Sequence, residues 1–129
     1  MSVELNGASN GKLDLTANSI SLSESGASNF KGDVKTSKAN FDLSGASVTD
    51  VDGNTDNLDI DASGASNFKG GDLQAVSCKV EATGASSINI NVSKQIDATA
   101  SGASSIHYWG DASVTRLDVS GGSSIKKKS

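Results

Sequence analysis

The hexapeptide Ser25-Gly26-Ala27-Ser28-Asn29-Phe30 recurs unchanged as Ser63-Gly64-Ala65-Ser66-Asn67-Phe68, and its Gly-Ala-Ser centre is repeated along the chain. The copies begin at Gly7, Gly26, Gly45, Gly64, Gly84 and Gly102, and a variant copy reads Gly121-Gly122-Ser123. The intervals between successive glycines are 19, 19, 19, 20, 18 and 19 residues. A fixed period of this kind indicates a repeat architecture in which equivalent layers stack on one another.

Between the motifs, apolar and polar residues alternate with a period of two, which is typical of strands with one buried face. From Gly26 onward, the position four residues before each motif glycine is apolar, and it holds Leu22, Phe41, Ile60, Val80, Ala98 and Leu117. The position four residues after each glycine is mostly apolar, and it holds Gly11, Phe30, Thr49, Phe68, Ile88, Ile106 and Ile125. Glu24 breaks the alternation, and we expect it near a loosely packed end of the stack. The spacing of an amphipathic helix occurs nowhere.

These patterns predict an all-β fold: a right-handed parallel β-helix, or solenoid, of about seven coils of about 19 residues, forming one domain over residues 1–129. Each coil should hold two or three short strands with a corner near Gly-Ala-Ser. Stacking coils about 4.8 Å apart joins their backbone hydrogen bonds. The alternation does not decide whether the Ala or the Ser of the motif points inward. Leucine-rich repeats and propeller blades are excluded because their signatures and periods differ.

Charge and rare residues exclude several functions. The net charge is −4, and a nucleic-acid partner would require a basic stripe. A single Cys and a single His leave neither an internal disulfide nor a zinc site. Cys78 falls in an inward column and should be an inert core residue. We therefore expect no cofactor, no metal, no nucleic acid and, without a long apolar run, no membrane insertion by this segment.

One candidate binding site is the run His107, Tyr108 and Trp109, which interrupts the repeat and contains the only Trp and the only Tyr of the chain. Exposed aromatic side chains stack on sugars and anchor interfaces, so the run predicts ligand binding. The same residues alternatively cover the last coil and block an open apolar end, whose unpaired edge would otherwise invite aggregation.

A second candidate is an acidic ladder of Asp42, Asp61 and Glu81, each three residues before a motif glycine. In stacked coils these carboxylates lie about 4.8 Å apart, close to the separation of about 5–5.5 Å in retaining glycosidases. Oxygen clusters also bind Ca²⁺. The alternative is an acidic solvated face, with Lys79 and Arg116 offsetting the repulsion. We favour the solvated face, because turns of nearly constant length leave no long loops to build a cleft.

The repeated Ser-Gly-Ala-Ser followed by an apolar residue, and the closing run His107-Tyr108-Trp109-Gly110, resemble the head GIN domain family of auto-transporter adhesins. The resemblance covers nearly the whole chain. It implies a right-handed β-helix in a secreted or lipid-anchored cell-envelope protein, with no established catalytic residues. Members of that family have further N-terminal sequence with an export signal, whereas Met1 leads directly into the repeat here.

We therefore expect a non-enzymatic, adhesin-like module located outside the cell or in the cell envelope, with a glycan or an extracellular matrix or surface ligand as partner. One alternative is an engineered or trimmed solenoid with a structural role, associating end to end with further copies. Another is a polysaccharide-active enzyme that uses the stacked carboxylates.

Overall fold

The computed structural model describes residues 2–8, 10–110 and 112–127, and for residues 13, 71 and 72 it describes the backbone alone. Every regular element of the described residues is a β-strand. The nine strands are β1 (Ser2–Leu5), β2 (Asn10–Glu24), β3 (Asn29–Leu43), β4 (Val48–Ala62), β5 (Asn67–Ala82), β6 (Ser87–Ala100), β7 (Ser105–Trp109), β8 (Ser113–Val119) and β9 (Ser124–Lys127).

The strands form one parallel sheet that winds into a solenoid, as the repeat predicts. Each strand from β1 to β6 pairs with the next strand along the chain, β7 pairs with β9, and β8 pairs with β6. Residues that pair in neighbouring strands are one sequence repeat apart, so Asn10 lies beside Asn29 and Phe41 lies beside Ile60. The seven motif glycines delimit six turns, close to the seven predicted coils. The parallel β-helix is confirmed.

The strands are longer than predicted. β2 to β6 contain 14 to 16 residues each, instead of two or three short strands per coil. Neighbouring coils keep one register along these strands. Backbone hydrogen bonds also join successive Gly-Ala-Ser corners, for example from the Ala46 N–H to the carbonyl oxygen of Gly26 at 2.9 Å. The one 20-residue interval is accommodated by a register shift between Lys69 and Leu73 in β5, opposite Asp50 and Gly53 in β4.

The corner shows which motif residue points inward: the serine is buried and the alanine is exposed. In a typical corner, the Ser66 hydroxyl donates a hydrogen bond of 2.7 Å to the carbonyl oxygen of Ser63. This bond satisfies the buried hydroxyl within its own corner. Gly64 has φ +72°, and a Cβ at this position would lie 2.8 Å from the carbonyl oxygen of Gly45 in the preceding coil. Glycine therefore permits both the backbone conformation and the close stacking of the corners.

The core is one apolar cluster enclosed by the coils, with Phe30, Phe41 and Phe68 among its largest fully buried side chains. The expectation that Glu24 lies at a loosely packed end is wrong, because its side chain is only 2% exposed. Oε2 of Glu24 accepts a hydrogen bond of 2.5 Å from the Thr49 hydroxyl, whereas Oε1 has no partner. The coils on both sides of Glu24 continue the stack, so its column is covered.

The apolar columns end in solvent at β8. Val114, Leu117 and Val119 are 38%, 56% and 41% exposed, and no residue of β8 is buried. Leu117 lies beside Ala98 and Val119 beside Ala100, which are both buried in β6. The side chains of β8 therefore continue core columns that no further described strand covers.

Candidate functional site

The residues of the acidic ladder lie in neighbouring coils of the sheet. Asp42 is the register partner of Asp61, and Asp61 is the register partner of Glu81. All three side chains are exposed, because they alternate along their strands with the buried residues of the core. The sheet thus holds three carboxylates in one column on a single outer face.

Like charges in the ladder affect its central member most. Partial burial is the main cause of a raised pKa at Asp61, and the negative charges of Asp42, Glu81 and Asp59 raise it further. Lys79 pairs in register with Asp59, and Arg116 lies two coils further along the same column. A depression of about 300 Å³ contains these side chains together with Ser21, Ser23, Asn40 and Phe41. The arrangement favours binding of cations or water over a bare anionic ligand.

The ladder is not assembled as a metal centre. In the part of the chain that the structure describes, no group of three or more His, Cys, Asp or Glu side chains could hold a metal ion. Cys78 is buried, and desolvation raises the pKa of its thiol, so the thiol is protonated and unreactive, as expected for a core residue. Among the described residues there is also no helix long and apolar enough to cross a membrane.

The aromatic run lies on β7, and the structure separates its members. Tyr108 pairs in register with Ile90 and packs against the core cluster. Side chains alternate along a strand, so His107 and Trp109 lie on the outer surface, beside Asn89 and Asn91 respectively. All three side chains are half-buried. Tyr108 therefore belongs to the packing of the last coils, and His107 and Trp109 belong to the surface.

Trp109 continues a column of amide side chains that the sequence analysis missed. The residues below it in successive coils are Asn91, Gln74 and Asn54, each paired in register with the next. A surface depression of about 260 Å³ is lined by the three amides and by Ser93, Thr55 and Asp56, among others. The sequence does not reveal this column because the register shifts between the coils. Asn54 and Gln74 lie 9 and 10 positions after their motif glycines, whereas Asn91 and Trp109 each lie 7 positions after theirs.

The three amides of the column differ in their hydrogen bonding from the stacked amides of Asn10 and Asn29. The Asn29 side chain donates a hydrogen bond of 2.9 Å to the Asn10 side chain, so this stacked pair satisfies itself. By contrast, the side chains of Asn54, Gln74 and Asn91 make no hydrogen bond to any described residue. Their donors and acceptors are available to solvent or to a ligand.

Comparison with known proteins identifies one family whose model matches most of the chain. Residues 2–112 match the family described as "Putative auto-transporter adhesin, head GIN domain". The match ends just before β8, the strand in which every residue is exposed. No curated protein and no solved structure matches the chain. The family match covers the six Gly-Ala-Ser copies, the acidic ladder and the aromatic run, and the chain belongs to the head GIN domain family of auto-transporter adhesins.

Proposed function

We propose that this chain is a non-enzymatic, adhesin-like module at the cell surface or in secreted form, whose solenoid presents side chains to a glycan or an extracellular matrix ligand. The observation that carries this proposal is the family match, because an adhesin head acts by binding outside the cell. The half-buried Trp109 on the outer surface of β7 supports it, because such a side chain combines an apolar face with a hydrogen-bond donor.

A glycan and matrix-protein array tests the proposal. We expect the wild-type chain to bind at least one component, and we expect Trp109→Ala to weaken that binding. Tyr108→Phe is the matched control, since it changes an adjacent aromatic residue that packs against the core and leaves the outer surface as it is. An array without any bound component would contradict the proposal.

The ladder of Asp42, Asp61 and Glu81 is the alternative source of activity, as the acid and base of a polysaccharide-cleaving enzyme. The raised pKa of Asp61 favours this role, because a general acid must hold its proton. The carboxylates lie on an exposed face of regular coils, and we propose that they act as a solvated surface. Release of reducing sugar from a polysaccharide panel, lost in Asp61→Asn, would show the enzyme instead.

End-to-end association of copies is a second candidate role, which the exposure of Val114, Leu117 and Val119 on β8 favours. Another copy stacked there would cover apolar side chains and continue the backbone pairing. Light scattering over a range of protein concentrations tests this role. The apparent mass should rise with concentration for the wild type and stay constant for Leu117→Lys, and a constant mass for both would contradict the association.

A further inference from the structure

The amide column suggests what kind of ligand this surface takes. Asn54, Gln74 and Asn91 lie in three successive coils, so their side chains repeat along the solenoid axis at about 4.8 Å. Each amide offers both donors and an acceptor. A ligand that matches this column must itself be extended and must carry both donors and acceptors at regular intervals.

The surroundings of the column favour a neutral ligand. Three of its members are amides and the fourth is Trp109, none of which is charged. Lys35 pairs in register with Asn54 in the next coil, and it is not among the residues that line the depression. Asp56 is the charged residue that lines the same depression, whereas the carboxylates of the acidic ladder line a different one. An anionic chain would find no cation in the lining of this depression, and a cationic chain would find a better site at the acidic ladder.

The backbone at Gly110, directly after Trp109, packs closely against Asn91 and Val92. Gly110 has φ +103°, and a Cβ at this position would lie 2.9 Å from the Asn91 side-chain oxygen and 2.2 Å from the carbonyl oxygen of Val92. The chain therefore turns closely over Asn91, directly after Trp109. As a result the indole is held at the end of the amide column by the backbone rather than by a free loop.

We propose that Asn54, Gln74, Asn91 and Trp109 form a binding groove for a neutral glycan chain lying along the solenoid axis. The amides exchange hydrogen bonds with successive sugar hydroxyls, and the indole stacks on the apolar face of one sugar ring. The inference rests on the proposed function, since it names the ligand class and the site for an adhesive module.

The test uses the full chain, an array of neutral and anionic oligosaccharides, and NMR of the side-chain amides. A neutral oligosaccharide should shift the side-chain amide signals of Asn54, Gln74 and Asn91. Each amide should weaken binding about two- to tenfold when replaced by Ala, since one hydrogen bond is lost. Trp109→Ala should weaken binding about 30-fold, as for an aromatic anchor. Binding should be nearly unchanged between low and high salt, because the ligand carries no charge.

Asn29→Ala is the matched control, since it removes an exposed amide that is already paired with Asn10 on a different corner. It should leave binding unchanged, and circular dichroism should show the same β signal for all variants. Binding of an array component that the three amide variants leave intact would overturn the groove and leave the adhesive function standing. The groove would also be overturned if only charged ligands bound and if high salt abolished their binding. The absence of any binding would overturn both.

Discussion

Glu24 should make the stability of this solenoid depend on pH in the direction opposite to most surface carboxylates. Its side chain is 2% exposed, and burial raises its pKa from 4.5 to about 7 despite the opposing hydrogen bond from Thr49. The neighbouring inward residues in its column, Leu5 and Leu43, are apolar. The adjacent acids Glu4 and Asp42 are exposed on the outer surface. Desolvation is therefore the cause, and the folded chain prefers the neutral acid.

The sign and size follow from proton linkage. The folded state binds the Glu24 proton more tightly than the unfolded state. The contribution of Glu24 to the free energy of unfolding is therefore highest below pH 4.5 and falls as the pH rises to about 7. With about 1.4 kcal/mol per pKa unit, the difference between 4.5 and about 7 corresponds to a loss of about 3.5 kcal/mol. Above that range the contribution of Glu24 stays constant.

Urea unfolding at several pH values between 4 and 8 measures this loss. Glu24→Gln keeps the shape and removes the titration, so the wild type minus the variant isolates Glu24 from the other carboxylates. Glu24→Leu, which matches Leu5 and Leu43 in the same column, should be more stable than the wild type at pH 8. Thr49→Val removes the hydrogen bond that lowers the pKa, and should move the transition to higher pH. Equal pH dependence in the wild type and Glu24→Gln would refute the reasoning.

Three further predictions concern the stacking itself. Gly7→Ala should cost about 1–2 kcal/mol of unfolding free energy from its φ of +71° alone, because no atom lies within 4 Å of the new Cβ. Gly64→Ala should cost about 1–3 kcal/mol more, because its new Cβ would contact the preceding corner. Equal losses for the two variants in urea unfolding would show that coil spacing is not involved. Phe68→Ala should cost about 3–5 kcal/mol, since the ring is fully buried, and a loss under about 1 kcal/mol would show that its column faces water. Asp61→Asn should be neutral or slightly stabilising by thermal unfolding, because it relieves the repulsion in its column; a loss of several kcal/mol would indicate a bound cation instead.

Much of the architecture was predictable because the same pattern recurs in every repeat of the chain. The 19-residue period, the alternation and the glycine at each corner all indicate the same stacked strands, and Asp42, Asp61 and Glu81 follow into one column without further information. The length of the strands was not predictable, because it depends on neighbouring coils bending together.

The surface groups were predictable only where the period is constant. The ladder lies at a fixed offset from the glycines, and the sequence therefore places its members together. The amide column crosses the longer and shorter turns, where the pairing register shifts between Gly70 and Gln74, and no fixed offset connects Asn54 with Gln74 and Asn91.

The order of apolar and polar residues along the chain was enough for the layered β-helix, because a period-two pattern repeated at a constant interval is satisfied by stacked parallel strands. Three features depended on packing in three dimensions: the inward direction of the motif serine, the burial of Glu24, and the joining of Trp109 to the amides. In each case the outcome depends on which backbone groups and side chains of the adjacent coils lie nearby, and a position in a linear pattern does not contain those contacts.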